Sequence, residues 1–290
     1  MSEKDKLLQG LADLRKEIVS LREEMRRDKE EMVVGAIIRR GFRCFKREEA
    51  AGLIIPLAGR SQEHFYNLLK KYSFRLFLRD VIKNRESFTL GDLLRYCSEK
   101  TAREYLMILA REGLIESTGR KKYRLKDMRI VSFGDTLEWL ICQILRKEFH
   151  LPAAWGLQVE DNIGGGDFDV VALMEGNLVY VETKSSPPKH IGQHEISAFV
   201  DRLDALRPGL AIFLEDTQLR MRDKIVVMFE HELHRRYGPS WKKKAPLRRL
   251  EREIFGIGDR LFITNSDPDL AFNIGFCLSR YLRSRGLKMG

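Results

Sequence analysis

The stretch Asp167-Phe-Asp-Val-Val-Ala-Leu-Met174, then Glu175-Gly-Asn177, then Leu178-Val-Tyr-Val-Glu-Thr-Lys184 decides how this chain is read. Two apolar runs flank a segment whose residues tolerate positive φ, which is the pattern of antiparallel strands joined by a tight turn. Side chains alternate across a strand, so Glu182 and Lys184 point to one face. Asp169 opens the neighbouring strand. Charges at the ends of such apolar strands are costly without a partner or a metal ion. Carboxylates from adjacent strands suit Mg²⁺, a hard cation that favours oxygen ligands, with Mn²⁺ as a substitute. Charged residues also fall on exposed strands by chance, so the pattern alone leaves a structural role open.

Outward from this hairpin, helices and strands alternate. Upstream, Phe133, Leu137, Leu140, Ile141, Ile144 and Leu145 form a helical stripe, Gly156 to Glu160 is extended, and Asp161 to Gly166 is a loop. Downstream come a helix with Ile196, Phe199, Val200, Leu203 and Leu206 on one face and a strand over 209–214. A helix over 218–237 and a last strand over 261–264 follow. The order is αβββαβ with additions, an α/β (α+β) fold.

The runs Gly166-Asp-Phe-Asp-Val-Val-Ala172 and Val181-Glu-Thr-Lys184, set across a hairpin, resemble the PD-(D/E)XK nuclease superfamily. Holliday-junction resolvases, many restriction enzymes and RecB-type nucleases belong to it. The resemblance covers residues 129–290, although the proline that usually precedes the first acid is absent. It implies a restriction-endonuclease-like core and metal-dependent hydrolysis of DNA phosphodiesters. Asp169 and Glu182 would hold the ion, the Thr183 carbonyl would complete the ligand set, and Lys184 would orient water or offset negative charge. It also implies a metal-ligating glutamate on the first helix, matched by Glu138, and a phosphate- or water-positioning glutamine on the next, matched by Gln193. Asp167 shares strand parity with Asp169 and is an alternative acid.

Residues 73–128 read as a winged helix-turn-helix. Phe74, Phe77, Leu78, Val81 and Ile82 make one helical stripe. Thr89 caps a second helix to Cys97, and Ser98 caps a third that carries Ala102, Tyr105, Leu106 and Leu109. Gly113 ends the third helix, and two short strands enclose a basic turn. In that layout Lys100, Thr101 and Arg103 face a DNA groove, and Arg120, Lys121 and Lys122 sit on the wing against phosphates. A winged module that binds protein remains the alternative. Residues 31–72 read as a small helical segment with no assigned chemistry.

Over 1–30, Leu7, Leu11, Leu14, Ile18, Leu21 and Met25 are spaced 4, 3, 4, 3, 4, a coiled-coil-like seam. It predicts either a homodimer, through these heptads and the nuclease-like domain, or a helix docked locally. The chain has 290 residues, 43% apolar and 32% charged, and the composition of a globular protein. It has no membrane-length apolar run and no leader pattern, so a cytoplasmic setting is expected. Its 52 Lys and Arg against 42 Asp and Glu, net +10, suit a polyanion such as DNA. The four cysteines are dispersed, which argues against a zinc site or a disulfide framework. Gly164-Gly-Gly166 leads into a strand and is not a phosphate loop. His231 and His234 lack metalloprotease spacing, and Lys242-Lys-Lys244 with Arg248-Arg249 read as solvated or phosphate-facing charge. A metal-dependent DNA endonuclease is the expected function; a non-catalytic DNA-binding regulator or scaffold is the alternative.

Overall fold

The computed structural model describes residues 3–46, 52–56, 60–160 and 167–286. The glycine run 164–166 lies outside them. Within them the chain is mixed α/β, built on one eight-stranded sheet. In chain order the elements begin with α1 (Glu3–Ile38), β1 (Cys44–Lys46), α2 (Arg60–Leu69), α3 (Tyr72–Lys83), α4 (Glu99–Arg111), β2 (Ile115–Gly119) and β3 (Lys122–Leu125). Next come α5 (Gly134–Lys147), β4 (Ala153–Val159), β5 (Asp167–Met174), β6 (Asn177–Lys184), α6 (Gln193–Leu206) and β7 (Leu210–Glu215). The last are α7 (Val227–Tyr237), α8 (Trp241–Lys244), β8 (Leu247–Glu251), β9 (Ile254–Ile257), β10 (Leu261–Thr264) and α9 (Leu270–Arg285). No helix among the described residues is long and apolar enough to cross a membrane.

The sheet order is β1-β4-β5-β6-β7-β10-β9-β8. Strands β4, β5 and β6 form an antiparallel meander. Its second turn has Glu175 at φ 48° and Gly176 at φ 75°, the two positive values that a two-residue hairpin loop needs to match strand twist. The crossover through α6 then makes β7 parallel to β6, and β10 adds parallel to β7.

Each sheet face is covered by its own apolar layer. Val170, Ala172, Val179, Val181 and Ile212 meet α5, α9 and the helices upstream of them. Leu178, Tyr180, Val171 and Phe213 meet α6, α7 and the last turns of α1. The first layer runs unbroken from Phe74 and Phe77 on α3, through Tyr105 on α4, to Leu140 on α5 and the sheet. Arg75, fully buried, ties the same region to the end of β7. Its Nη2 donates to Asp216 Oδ1 at 2.8 Å, and its Nη1 donates to the carbonyls of Leu69 and Lys70.

Several elements differ from expectation for local reasons. Helix α1 runs past residue 30 to Ile38, because Val33, Ala36 and Ile37 find sheet residues to bury against. The helix expected from Leu90 to Cys97 is a single 3-10 turn, Leu90–Leu93. Thr89 and Asp92 form a capping box there, and only Leu93 of the four is buried, so little packing extends the turn. The helix expected from 218 begins as a wider turn over Arg222–Val226 before α7. The basic stretch at Arg248 and Arg249 belongs to edge strand β8, whose outward side chains are exposed.

Candidate active site

The pairing of Val170 with Val181 and its neighbours places Asp169, one step further, opposite Glu182. Opposed residues of an antiparallel pair share a face. Asp169, Tyr180, Glu182 and Lys184 therefore stand on the side of the sheet that α6 covers. The Thr183 peptide N–H donates to Asp169 Oδ2 at 2.7 Å, and its hydroxyl does so at 3.2 Å. Glu182 is 1% exposed. Its Oε1 lies 2.9 Å from Lys184 Nζ and 2.6 Å from Arg202 Nη2, and its Oε2 accepts from the Tyr180 hydroxyl. Arg202 Nε also donates to the Tyr180 oxygen at 2.9 Å. Lys184 stands 3.6 Å from Glu195 Oε1, while Glu195 Oε2 accepts the Gly192 N–H that opens α6.

The electrostatics follow from this crowding. Burial, and next the Glu182 charge, push Asp169 up to about 7 against the pull of Lys184 and the Thr183 N–H. Glu182 is buried more deeply than Asp169, yet Arg202 and Lys184 outweigh the lost solvation and hold it below the usual carboxylate range. Glu182 and Asp169 in turn raise Lys184 despite its own desolvation, so it stays an ammonium. Two facing carboxylates, one of them reluctant to ionise, form a donor set that a divalent cation relieves. That set fits Mg²⁺, which is commonly held by one or two carboxylates with water and phosphate oxygens filling the rest of its shell.

Two expected members are not brought in. Glu138 lies on α5, whose apolar stripe packs on the opposite face of the sheet. Among the described residues no group of three His, Cys, Asp or Glu is placed to hold a metal, so Glu138 does not join Asp169 and Glu182. Gln193 turns toward α7, donating to the Met228 carbonyl at 3.1 Å and to Glu232 at 3.4 Å. Phe199 and Arg202, on the face of α6 that meets the sheet, lie on roughly the opposite side of the helix from Gln193.

Four residues at the centre escaped the sequence reading: Tyr180, Glu195, Arg202 and Glu215. Tyr180 was legible, being two residues before Glu182 on the same strand. Arg202 also left a trace, since it falls three residues after Phe199 on an otherwise apolar helix face. Glu195 is the reciprocal cap of α6. Glu215 pairs with Lys184 across β6 and β7, a parallel register that no local pattern announces. It is fully buried, and among the described residues neither of its carboxylate oxygens has a hydrogen-bond partner. Burial pushes its carboxyl up to about 8, against the pull of Lys224 and Arg79.

The basic residues away from this centre fall on the β2–β3 hairpin and on α4. Arg120 and Lys121 have positive φ (47° and 62°) at the tip of the β2–β3 hairpin, and both are exposed, as is Lys122. Lys100 and Arg103 are exposed on the first turns of α4, with Arg103 Nε 3.1 Å from Glu99. Thr101 is half-buried, its N–H taken by the Ser98 cap at 3.2 Å. Phe88 and Tyr123 exchange backbone hydrogen bonds, adding a third extended segment to the hairpin.

No family model matches this chain, and no curated protein matches it. Two solved structures resemble it in part. Protein VC1899 from Vibrio cholerae is 14% identical, with a TM-score of 0.45 over 70% of this chain and 60% of that one. Can2 from Sulfobacillus thermosulfidooxidans, solved in complex with cyclic tetra-adenylate, is 14% identical, with a TM-score of 0.46 over 86% of this chain and 60% of that one. The chain thus spans 60% of the length of either structure.

Proposed function

We propose that this chain is a metal-dependent DNA endonuclease with a PD-(D/E)XK-type, restriction-endonuclease-like core, targeted by a winged helix-turn-helix. The observation that carries this reading is Asp169 facing Glu182 across two hydrogen-bonded strands, with Lys184 on the same face. The element order α5-β4-β5-β6-α6-β7 supports it. The exposed cations of the β2–β3 hairpin and α4 support the DNA-binding part.

Asp169 and Glu182 would hold Mg²⁺ or Mn²⁺. When bound, the ion supplies Lewis acidity toward a phosphodiester and a water of lowered pKa. Thr183 fixes the Asp169 carboxylate through its N–H and hydroxyl. Tyr180 and Arg202, both buried, fix Glu182. Lys184 keeps a positive charge beside both acids, where it offsets negative charge building on phosphate oxygens.

One observation favours a second reading, a non-catalytic DNA-binding regulator: both Glu182 oxygens are already engaged by protein donors. Cleavage assays on linear, nicked, branched and single-stranded DNA with Mg²⁺ or Mn²⁺ separate the two. For the nuclease, Glu182→Ala and Lys184→Ala each lower the cleavage rate by about 100-fold or more, the scale of losing one charge-stabilising group. A wild-type protein that binds these DNAs and leaves all of them intact establishes the regulator.

A further inference from the structure

The N-terminal two thirds of α1 carries an apolar seam that no other described part of the chain covers. Leu7, Leu11, Leu14, Ile18, Leu21 and Met25 are each between 48% and 63% exposed. Among the described residues the body meets α1 near its end, through Val33, Ala36 and Ile37 and an ion pair of 2.7 Å between Glu30 and Arg146. At about 100° per residue that docked face lies roughly a quarter turn from the seam, so docking leaves the seam open. A row of leucines this long is costly in water unless a second helix covers it.

The charges beside the seam say what covers it. With Leu11, Ile18 and Met25 at heptad positions a, and Leu7, Leu14 and Leu21 at d, the g positions are Gly10, Glu17, Glu24 and Glu31. The e positions are Leu8, Arg15, Arg22 and Lys29. In a parallel pair each g position faces the e position five residues later in the partner, so 17 meets 22 and 24 meets 29, acid against base. An antiparallel pair sets g against g and e against e, acid against acid and base against base. Leu fills the d positions 7, 14 and 21, and Ile18 is β-branched at one of the three a positions, a partial match to the core of two-stranded parallel coils.

We infer that α1 pairs with α1 of a second copy as a parallel, in-register coiled coil. Both bodies, each with its own Asp169–Glu182–Lys184 centre, are then carried at the same end of the coil. The inference stands whether or not that centre cleaves DNA, because its readouts are hydrodynamic and covalent.

The test uses the full chain at micromolar concentration. Sedimentation of the wild type is expected to give twice the 33.8 kDa chain mass. The Leu14→Asp/Leu21→Asp variant is expected to sediment as a monomer with unchanged melting of the body, since those positions lie on the exposed part of the helix. For orientation, Leu7→Cys is oxidised beside the wild type, which carries the same native cysteines. A parallel coil brings the two copies of position 7 together and crosslinks the variant alone, whereas an antiparallel coil holds them at opposite ends. Glu24→Lys is expected to weaken the dimer, and adding Lys29→Glu to restore it. A monomeric wild type, a dimer indifferent to the aspartates, or a dimer without the position-7 crosslink overturns the inference.

Discussion

At the residue scale, the centre is governed by how each buried charge is balanced. Glu182 remains a carboxylate because Arg202, Lys184 and Tyr180 all point at it. Glu215, one strand away, has no such donors among the described residues, and burial pushes its carboxyl up to about 8, against 4.5 for an ordinary glutamate. For an acid whose folded pKa is raised, the stabilisation is full below pH 4.5 and is lost as pH rises toward 8. Glu215→Gln cannot ionise and escapes that loss. Its stability relative to wild type should therefore rise between these pH values by a few kcal/mol in all, at about 1.4 kcal/mol for each pH unit. Urea melts of both proteins at pH 4.5, 6 and 8 check this; a constant difference across the series would remove Glu215 as a buried proton store.

At the scale of elements, the β2–β3 hairpin and α4 form one presenting unit. Two successive positive-φ residues make a tight loop that holds Arg120 and Lys121 out in solvent. The Ser98 cap and the buried face of Ala102, Tyr105, Leu106 and Leu109 fix how α4 turns its basic first turns outward. If this unit meets DNA backbone, Arg103→Ala or Lys121→Ala should weaken binding and reduce the slope of log affinity against log salt by about one each. Fluorescence anisotropy over a salt series measures both; unchanged affinity in the two variants would place DNA contact elsewhere. The meander β4–β5–β6 has the complementary role, since its register brings Asp169 and Glu182 face to face.

At the scale of the whole molecule, the helices over 60–111 and the sheet share one apolar layer, and Arg75 and Arg79 reach across it to Asp216. Asp216 is held below the ordinary range by those two guanidiniums in spite of its burial. Arg75→Ala leaves that carboxylate and two backbone carbonyls short of a donor, with an expected loss of about 3–5 kcal/mol. Because the layer is continuous, calorimetry should show the loss as one earlier transition of the whole body. A separate early transition for the α2–α4 region would mean that it folds alone. Local pattern in the chain was enough for the β5–β6 hairpin, the common face of Asp169, Glu182 and Lys184, the Ser98 cap and the heptad seam. Each depends on neighbours within a strand, a turn or a helix, where spacing dictates direction. The rest depended on elements far apart in sequence. The side of the sheet that α5 occupies, which separates Glu138 from the acids, is set by tertiary packing. So are the turn of Gln193 toward α7, the placement of Glu215 beside Lys184 and the grip of Arg202 on Glu182. Burial and cross-sheet register arise only when the layers close, and no residue carries that information alone.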